Sequence, residues 1–336
     1  MRRQESSKLL KEYEHPKMKR HIVKILQLCV SVGIFIIIFS RFDLDIKSTL
    51  ELCNWRYLLL ACCFRLIVSP CISMNRWKTF LHYTGIDESF FSLLKISMKS
   101  AFLGIVLPSS QGQDVMRMYY IEKKHPKKLM TSSSTVIVER MVGFLLLAFM
   151  GLLFSLLVSF PQKGKVILII GLINVFLWAG LFVFLNDKVF SKVHSFFEKR
   201  KNRKRIGGIL DFIDRTYYSI SHFPYKKSFV LSTTLILLYQ LSTVFVVFLV
   251  FKAFSVNLPF SEHLAFYPII AILSVIPVTI SGLGLRESFF VFFYSFVGVA
   301  PDVAVTVSLV NYCVEVVLYA LLGGVVFLID SFRSLK

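Results

Sequence analysis

Charged side chains are scarce inside the apolar stretches of this sequence, and those present limit the chemistry it can perform. Arg65 falls midway along one apolar stretch, and Arg76 follows three helical turns later, so both face one side of a helix. Glu139 and Arg140 lie about 10 Å into another stretch, and Glu315 sits in the middle of the last. Asp114 and Arg117 follow a Pro/Gly-interrupted segment that begins LPSSQG, and Arg286 and Glu287 follow a second that contains SGLG. An arginine at the centre of a bilayer costs roughly 2.5–3.5 kcal/mol on insertion scales. Two chemistries fit the set. In the first, the arginines grip a lipid phosphate through charge-assisted bonds while the acids hold the arginines in place. In the second, acids and bases are structural ion pairs that lock helices together. Arginines at both interruptions favour anion binding. The candidate head-group residues are therefore Arg65, Arg76, Asp114, Arg117, Glu139, Arg140, Arg286 and Glu287. Of these, Arg65, Arg117, Arg140 and Arg286 are expected to point into one shared cavity. Pro108, Gly112, Pro277, Gly282 and Gly284 mark the backbone breaks. The glycines permit φ > 0 and close backbone approach, which would turn N–H groups toward an anion. Residues 108–114 and 278–284 are expected to be non-helical, buried and close to one another.

Other chemistries lack their residues. No GxSxG, P-loop or paired-carboxylate signature occurs, and the seven histidines form no HxxxH or HExxH. Asp43-Leu44-Asp45 is a DxD, as in metal-dependent glycosyltransferases, but it falls in a short loop expected on the outer face and reads as solvated. Five of the six cysteines (Cys29, Cys62, Cys63, Cys71, Cys313) lie in apolar runs, with Cys53 outside, and read as small core residues. No catalytic residue, metal site or cofactor is expected, nor an ATP-driven pump acting alone.

The elements that must position these residues are membrane spans. The chain has 336 residues, is 55% hydrophobic and contains 34 Phe, with a mean hydropathy of +0.67. Several runs reach the roughly 20 residues needed to cross a bilayer core of about 30 Å. The fold class expected is an all-α polytopic membrane protein with about six full spans, two re-entrant hairpins and an inverted repeat. The formal charge of +19 falls in a tail and in loops, as the positive-inside rule produces. No basic–aromatic interleaving points to nucleic acid, so no nucleic-acid partner is expected.

Residues 1–21 carry seven Lys/Arg and read as a cytoplasmic tail, not a cleavable signal. Residues 22–336 then form one transmembrane domain, with halves 22–160 and 165–329. Spans are expected at about 22–40, 55–74, 132–160, 165–186, 228–251 and 303–329. The short loop 41–54 is outside. The loop 187–227, with eleven Lys/Arg against four acids, is cytoplasmic. Both termini are expected in the cytoplasm, with the protein multi-pass in the cytoplasmic (inner) membrane. Between the spans, 88–107 has an amphipathic first half suited to the interface and a second half too short to cross. Residues 263–277 and 289–300 are likewise short. Matching breaks in two inverted halves point to a transporter site near the midplane.

Four ordered segments, NRW at 75–77, LPSSQGQDVMRMYYI at 107–121, VERMVGF at 138–144 and SGLGLRESFF at 281–290, resemble the lysylphosphatidylglycerol synthase transmembrane-region family of flippase-like membrane proteins. The resemblance covers nearly the whole chain. It implies a lipid-flippase fold and a membrane phospholipid or polyprenyl-linked glycolipid as cargo. A glycosyltransferase or other envelope-biosynthesis enzyme is an implied partner. The soluble aminoacyl-transferase domain of full-length synthases is not expected here, since the sequence stops at Lys336. Two departures bear on head-group preference. Gln113 stands where the family often has a second Gly, and Asn311, Tyr312 and Glu315 occupy a region where many members carry an Arg. The function expected is binding an anionic lipid and moving it across the bilayer. The alternative is a membrane-embedded enzyme or accessory subunit in envelope lipid or glycan biosynthesis.

Overall fold

The computed structural model describes residues 46–106, 112–125, 129–198, 225–276, 278–279 and 282–334, with isolated positions 33, 36, 40, 214 and 217. The expected basic tail, nearly all of the first span, Pro108, Pro277 and the basic stretch at 199–205 lie outside the described residues. Among the described residues every regular element is helical. In chain order they are α1 (Ile46–Glu51), α2 (Trp55–Tyr83), α3 (Phe90–Val106), α4 (Gly112–Lys124), α5 (Leu129–Leu157), α6 (Lys163–Leu185), α7 (Asp187–Glu198), α8 (Tyr225–Ala253), α9 (Phe260–Leu273) and α10 (Leu285–Ser295). The last, α11, runs from Pro301 to Ser334. Five of these, α2, α5, α6, α8 and α11, are long and apolar enough to cross a membrane. The chain is a multi-pass membrane protein.

Several boundaries differ from the sequence reading. The helix expected to stop near 74 continues to Tyr83 and ends at Gly85, whose φ is 78°. It carries a π turn at Phe64–Val68, just before Pro70. Proline lacks an N–H and crowds the carbonyl four residues back, and the wider π turn relieves that crowding. Within 88–107, Phe90–Val106 form one helix, α3, rather than an interfacial half and a short half. Leu93 and Ile96 turn inward from it while Phe91 is 78% exposed. The break expected over 108–114 is shorter at its C-terminal end, because Gly112, Gln113 and Asp114 already belong to α4. Asp114 in that first turn complements the positive end of the helix dipole. The loops 41–54 and 187–227 hold the helices α1 and α7.

α3 and α4 form one hairpin, and α9 and α10 the other. At about 1.5 Å per residue, α4, α9 and α10, with 13, 14 and 11 residues, are too short to span. After α9 the chain turns through 274–276, and Gly282 and Gly284, at φ 75° and 84°, lead into α10.

The hairpins dock reciprocally. α3, first arm of one, packs on α11; α9, first arm of the other, packs on α5. Lipid tails are as apolar as leucine, so helices in a bilayer associate through close packing over small residues. Glycines sit at both seams. A Cβ on Gly323 of α11 would overlap the Met98 carbonyl oxygen of α3, and one on Gly324 would lie 3.0 Å from the Phe102 ring. On α5, a Cβ on Gly151 would lie 2.9 Å from Ile269 Cγ1 of α9. Within the first hairpin, a Cβ on Gly104 would meet the Gln113 nitrogen at 2.5 Å. The foot of this hairpin is tied by Glu88, which accepts from Lys124 Nζ at 2.6 Å and pairs with His125 Nε2 at 2.7 Å. At the centre stands α8, half of whose apolar window is buried, against 17% for the lipid-facing α6.

Two outcomes are expected. Gly323→Ala should unfold the protein or lower its melting temperature in detergent steeply, because a backbone carbonyl cannot swing aside. Gly171→Ala, with nothing within 4 Å, should be neutral or stabilise by about 0.5–1 kcal/mol; equal melting of the two variants would refute the seam. Burial pushes the Glu88 carboxyl up, but hydrogen bonds from Lys124, Ser92 and His125 more than offset this and hold it below the ordinary carboxylate range. Its contribution is therefore fully present above the ordinary carboxylate pKa and is lost as pH falls through the lowered value. Glu88→Gln should flatten the acid limb of the melting-temperature profile.

Candidate functional site

Three helices bring their charges to one point inside the bundle. From α2 comes Arg76; from α4 come Asp114 and Arg117, one turn apart on the same face; from α5 come the neighbours Glu139 and Arg140. Glu139 is the hub, at 5% exposure. One carboxylate oxygen accepts from Arg76 Nη2, and the other accepts from Arg117 Nη2 at 3.2 Å. Arg117 also reaches Asp114 Oδ1 at 3.3 Å, and Arg140 Nε donates to Asp114 Oδ2 at 2.5 Å. Aromatic faces cover the buried guanidinium groups: Arg117 lies 4.1 Å from the Trp77 ring centre and Arg76 4.5 Å from that of Tyr239. Such stacking suits the planar guanidinium and would not suit a lysine.

These groups line a cavity of about 270 Å³, together with Gln113 at the start of α4, Tyr239 and Gln240 of α8, and Ala271 and Val275 at the end of α9. The helix starting after one break and the helix ending before the other thus face the same space. Three guanidinium groups and three carboxylates line the cavity; Glu315 is paired with Arg65 behind the wall, and counting that pair leaves one positive charge. Arg140 carries the exposed part of that surplus: its side chain is 45% exposed. It is held through Nε alone, and among the described residues nothing holds its two terminal amino groups. Arg76 Nε and Arg117 Nε are buried and, among the described residues, also lack hydrogen-bond partners. Among the described residues no group of three potential metal ligands occurs.

The expectation of one cavity shared by Arg65, Arg117, Arg140 and Arg286 holds for Arg117 and Arg140 only; Arg76 takes the third place. Arg65 lies behind the wall. Its Nε is 3.2 Å from Glu315 Oε2, and its Nε and Nη2 donate to the Glu315 carbonyl at 3.1 and 2.9 Å. That carbonyl belongs to a second π turn, Cys313–Val317. Only the Glu315 partner lines the cavity. Arg65 and Arg76 do face one side of α2, for both meet Tyr239, the first through its hydroxyl at 3.5 Å. Arg286 is committed to the second break. It pairs with Glu287 Oε1 at 2.7 Å and stacks on Tyr312 at 4.4 Å, while Glu287 Oε2 accepts the Gly284 N–H at 2.6 Å and caps α10. Sequence reasoning passed over Tyr239 and Gln240, which form a polar pair inside an apolar span, and Trp77.

Glu139→Gln leaves two buried guanidinium groups without their shared anion. It should destabilise the protein by about 3–5 kcal/mol, measured by unfolding in detergent. Arg140→Gln should cost less, because Arg140 is half exposed and its buried partner Asp114 keeps Arg117. Equal losses would show that the cluster has no hub.

Residues 24–323 match the family described as Lysylphosphatidylglycerol synthase TM region. A UPF0104 membrane protein of Methanocaldococcus jannaschii is 26% identical over 327 residues, which covers 93% of this chain and 96% of the relative. A second UPF0104 membrane protein, of Archaeoglobus fulgidus, is 28% identical over 168 residues, 48% of this chain and 50% of the relative. The matched region contains every residue of the charged cavity, and the chain belongs to the Lysylphosphatidylglycerol synthase TM region family.

Proposed function

We propose that the protein binds the phosphate head group of an anionic lipid in the charged cavity and carries it across the bilayer. The observation that supports this reading is the uncompensated arginine. A cluster serving only to join helices does best when its charges cancel, and packed apolar residues would serve as well or better. Here an extra guanidinium is kept inside the helical bundle beside an open space, and among the described residues nothing holds its two donor-bearing amino groups. Guanidinium presents paired N–H donors that match two phosphate oxygens, and burial among apolar helices strengthens the attraction. At about 270 Å³ the space suits a small head group rather than a whole lipid.

Transport, beyond mere binding, is supported by the setting. The cavity lies between two hairpins whose broken helices start or end at it, the arrangement that lets one bundle rock against another around a fixed site. Re-entry of both hairpins, a cytoplasmic location of both termini and a cytoplasmic-membrane address belong to this same proposal. The lipid is a long-chain phosphate ester, either a phospholipid or a polyprenyl-linked glycolipid.

Proteoliposomes holding the purified chain alone and a trace of fluorescent lipid provide the test. With phosphatidic acid in one arm and a polyprenyl-phosphate sugar in the other, wild type should expose inner-leaflet label to an impermeant quencher in at least one. Arg140→Gln should slow this by about tenfold or more, since a hydrogen bond to a charged group contributes roughly 1.5–3 kcal/mol; Arg140→Lys should fall between. Wild type that moves neither lipid, or Arg140→Gln that moves it at the wild-type rate, overturns the reading.

A further inference from the structure

A head group seated in the polar cavity leaves a hydrocarbon tail to place, and two further spaces bear on where it goes. Both are apolar grooves along α6, of about 380 Å³ and about 520 Å³. Phe144 of α5 and Val275 beyond α9 line the polar cavity and also the first groove. Ile173 of α6 lines both grooves. The three spaces therefore adjoin one another across these shared residues, polar at one end and hydrocarbon-lined along the rest. The second groove runs between α6 and the α9–α10 hairpin, past Ile269 and Phe292, to Lys165 in the first turn of α6. From Leu177 to Lys165 the path along α6 is about 18 Å at 1.5 Å per residue, enough for the tail of one leaflet of a core about 30 Å thick.

We infer that this trough holds the tail of the same lipid whose phosphate lies against Arg140, so that the seam between α6 and the second hairpin is the route by which the lipid enters or leaves sideways. The inference rests on the head-group reading above. Close-packed helices leave few voids larger than a water molecule, whereas the least buried of the described spans is flanked by these two grooves over residues 165–177. The junction at Phe144 and Val275 fixes the occupant. A protein partner covering α6 would have no reason to connect with a charged pocket, but a lipid is one molecule with a phosphate at one end and hydrocarbon at the other. At the far end, Lys165 supplies a cation where the phosphate arrives once the head group leaves the cavity.

Phosphatidic acid with a diazirine at the end of one acyl chain, irradiated in proteoliposomes and mapped by mass spectrometry, tests this on the unmodified protein. Label should concentrate on peptides containing 165–177 and 269–292. Arg140→Gln should cut that label about tenfold, because the tail is held there by its head. Ile173→Trp, which fills the shared point of both grooves, should cut it similarly, since excluding about two methylenes is worth about tenfold. Val175→Trp should not, for Val175 is exposed on α6 and lines neither groove. Label spread evenly around α6, or label unaffected by Arg140→Gln, means surrounding bilayer lipid only and overturns the inference. So does a cross-link showing residues 22–40 of this chain seated in the groove. Dihexanoyl phosphatidic acid, whose chains are too short to fill the trough, separates the two readings. Its binding should be lost in Arg140→Gln and kept in Ile173→Trp. If wild type binds it but Ile173→Trp leaves long-chain labelling unchanged, the tail route alone falls. If wild type does not bind it, the head-group reading falls and the tail route with it.

Discussion

The buried carboxylate of Glu139, shared between Arg76 and Arg117, is the interaction on which the interior arrangement depends. It joins α5 to α2 and to α4 at one buried point. Removing an anion from such a place strands its cations, which is far costlier than never having had the pair. The consequence is geometric. With Arg117 fixed from one side by Glu139 and from below by the Trp77 ring, Asp114 one turn earlier is held as well. Asp114 then takes only the Nε edge of Arg140. The network thus uses four charges to hold one another and delivers the fifth, half exposed, to an open space.

The network needs the hairpins to come close, and in a bilayer the hydrophobic effect does not push helices together. Small residues must let backbones touch. Gly104 admits the start of α4 against α3, Gly323 and Gly324 admit α3 against α11, and Gly151 admits α9 against α5. Each hairpin is seated on a long helix that lies in the other part of the chain, so neither can shift without moving the far seam. Such cross-seating ties each hairpin to the other part of the chain.

The membrane class, the long spans and the hairpin elements were legible because apolar length and Pro/Gly interruptions are local properties of the sequence. The membership of the cavity was legible only in part. Arg65 and Arg286 carry the same charge in the same kind of surroundings as Arg117, and sequence offers no means to separate them. What separates them is their nearest acid in space. Arg65 is claimed by a glutamate 250 positions away in another helix, and Arg286 by its own neighbour, which also caps a helix. Helix phase was readable over short distances, so that Arg65 and Arg76 both reach Tyr239, even across a π turn the sequence did not announce. The extent of the first break was misjudged because glycine and aspartate read as loop-formers, yet at a helix start they serve the first turn.

The division of labour among the arginines follows from how many directions each is held. Arg65 and Arg286 are engaged by carboxylate, carbonyl, hydroxyl or ring and lie outside the cavity lining. Arg76 and Arg117 are gripped and stacked but retain an Nε unpartnered among the described residues, so they shape the field of the cavity without being free to follow a ligand. Arg140 is the half-exposed one of the cavity arginines, and among the described residues only its Nε is held. A site meant to capture and release cannot hold its ligand with every donor fixed, because strong preorganised grip on all sides would trap the anion. On the proposed head-group reading, a fixed positive field with one adjustable donor would allow both: the field would draw the phosphate in, and the loosely held guanidinium could turn with it toward the apolar seam at Phe144.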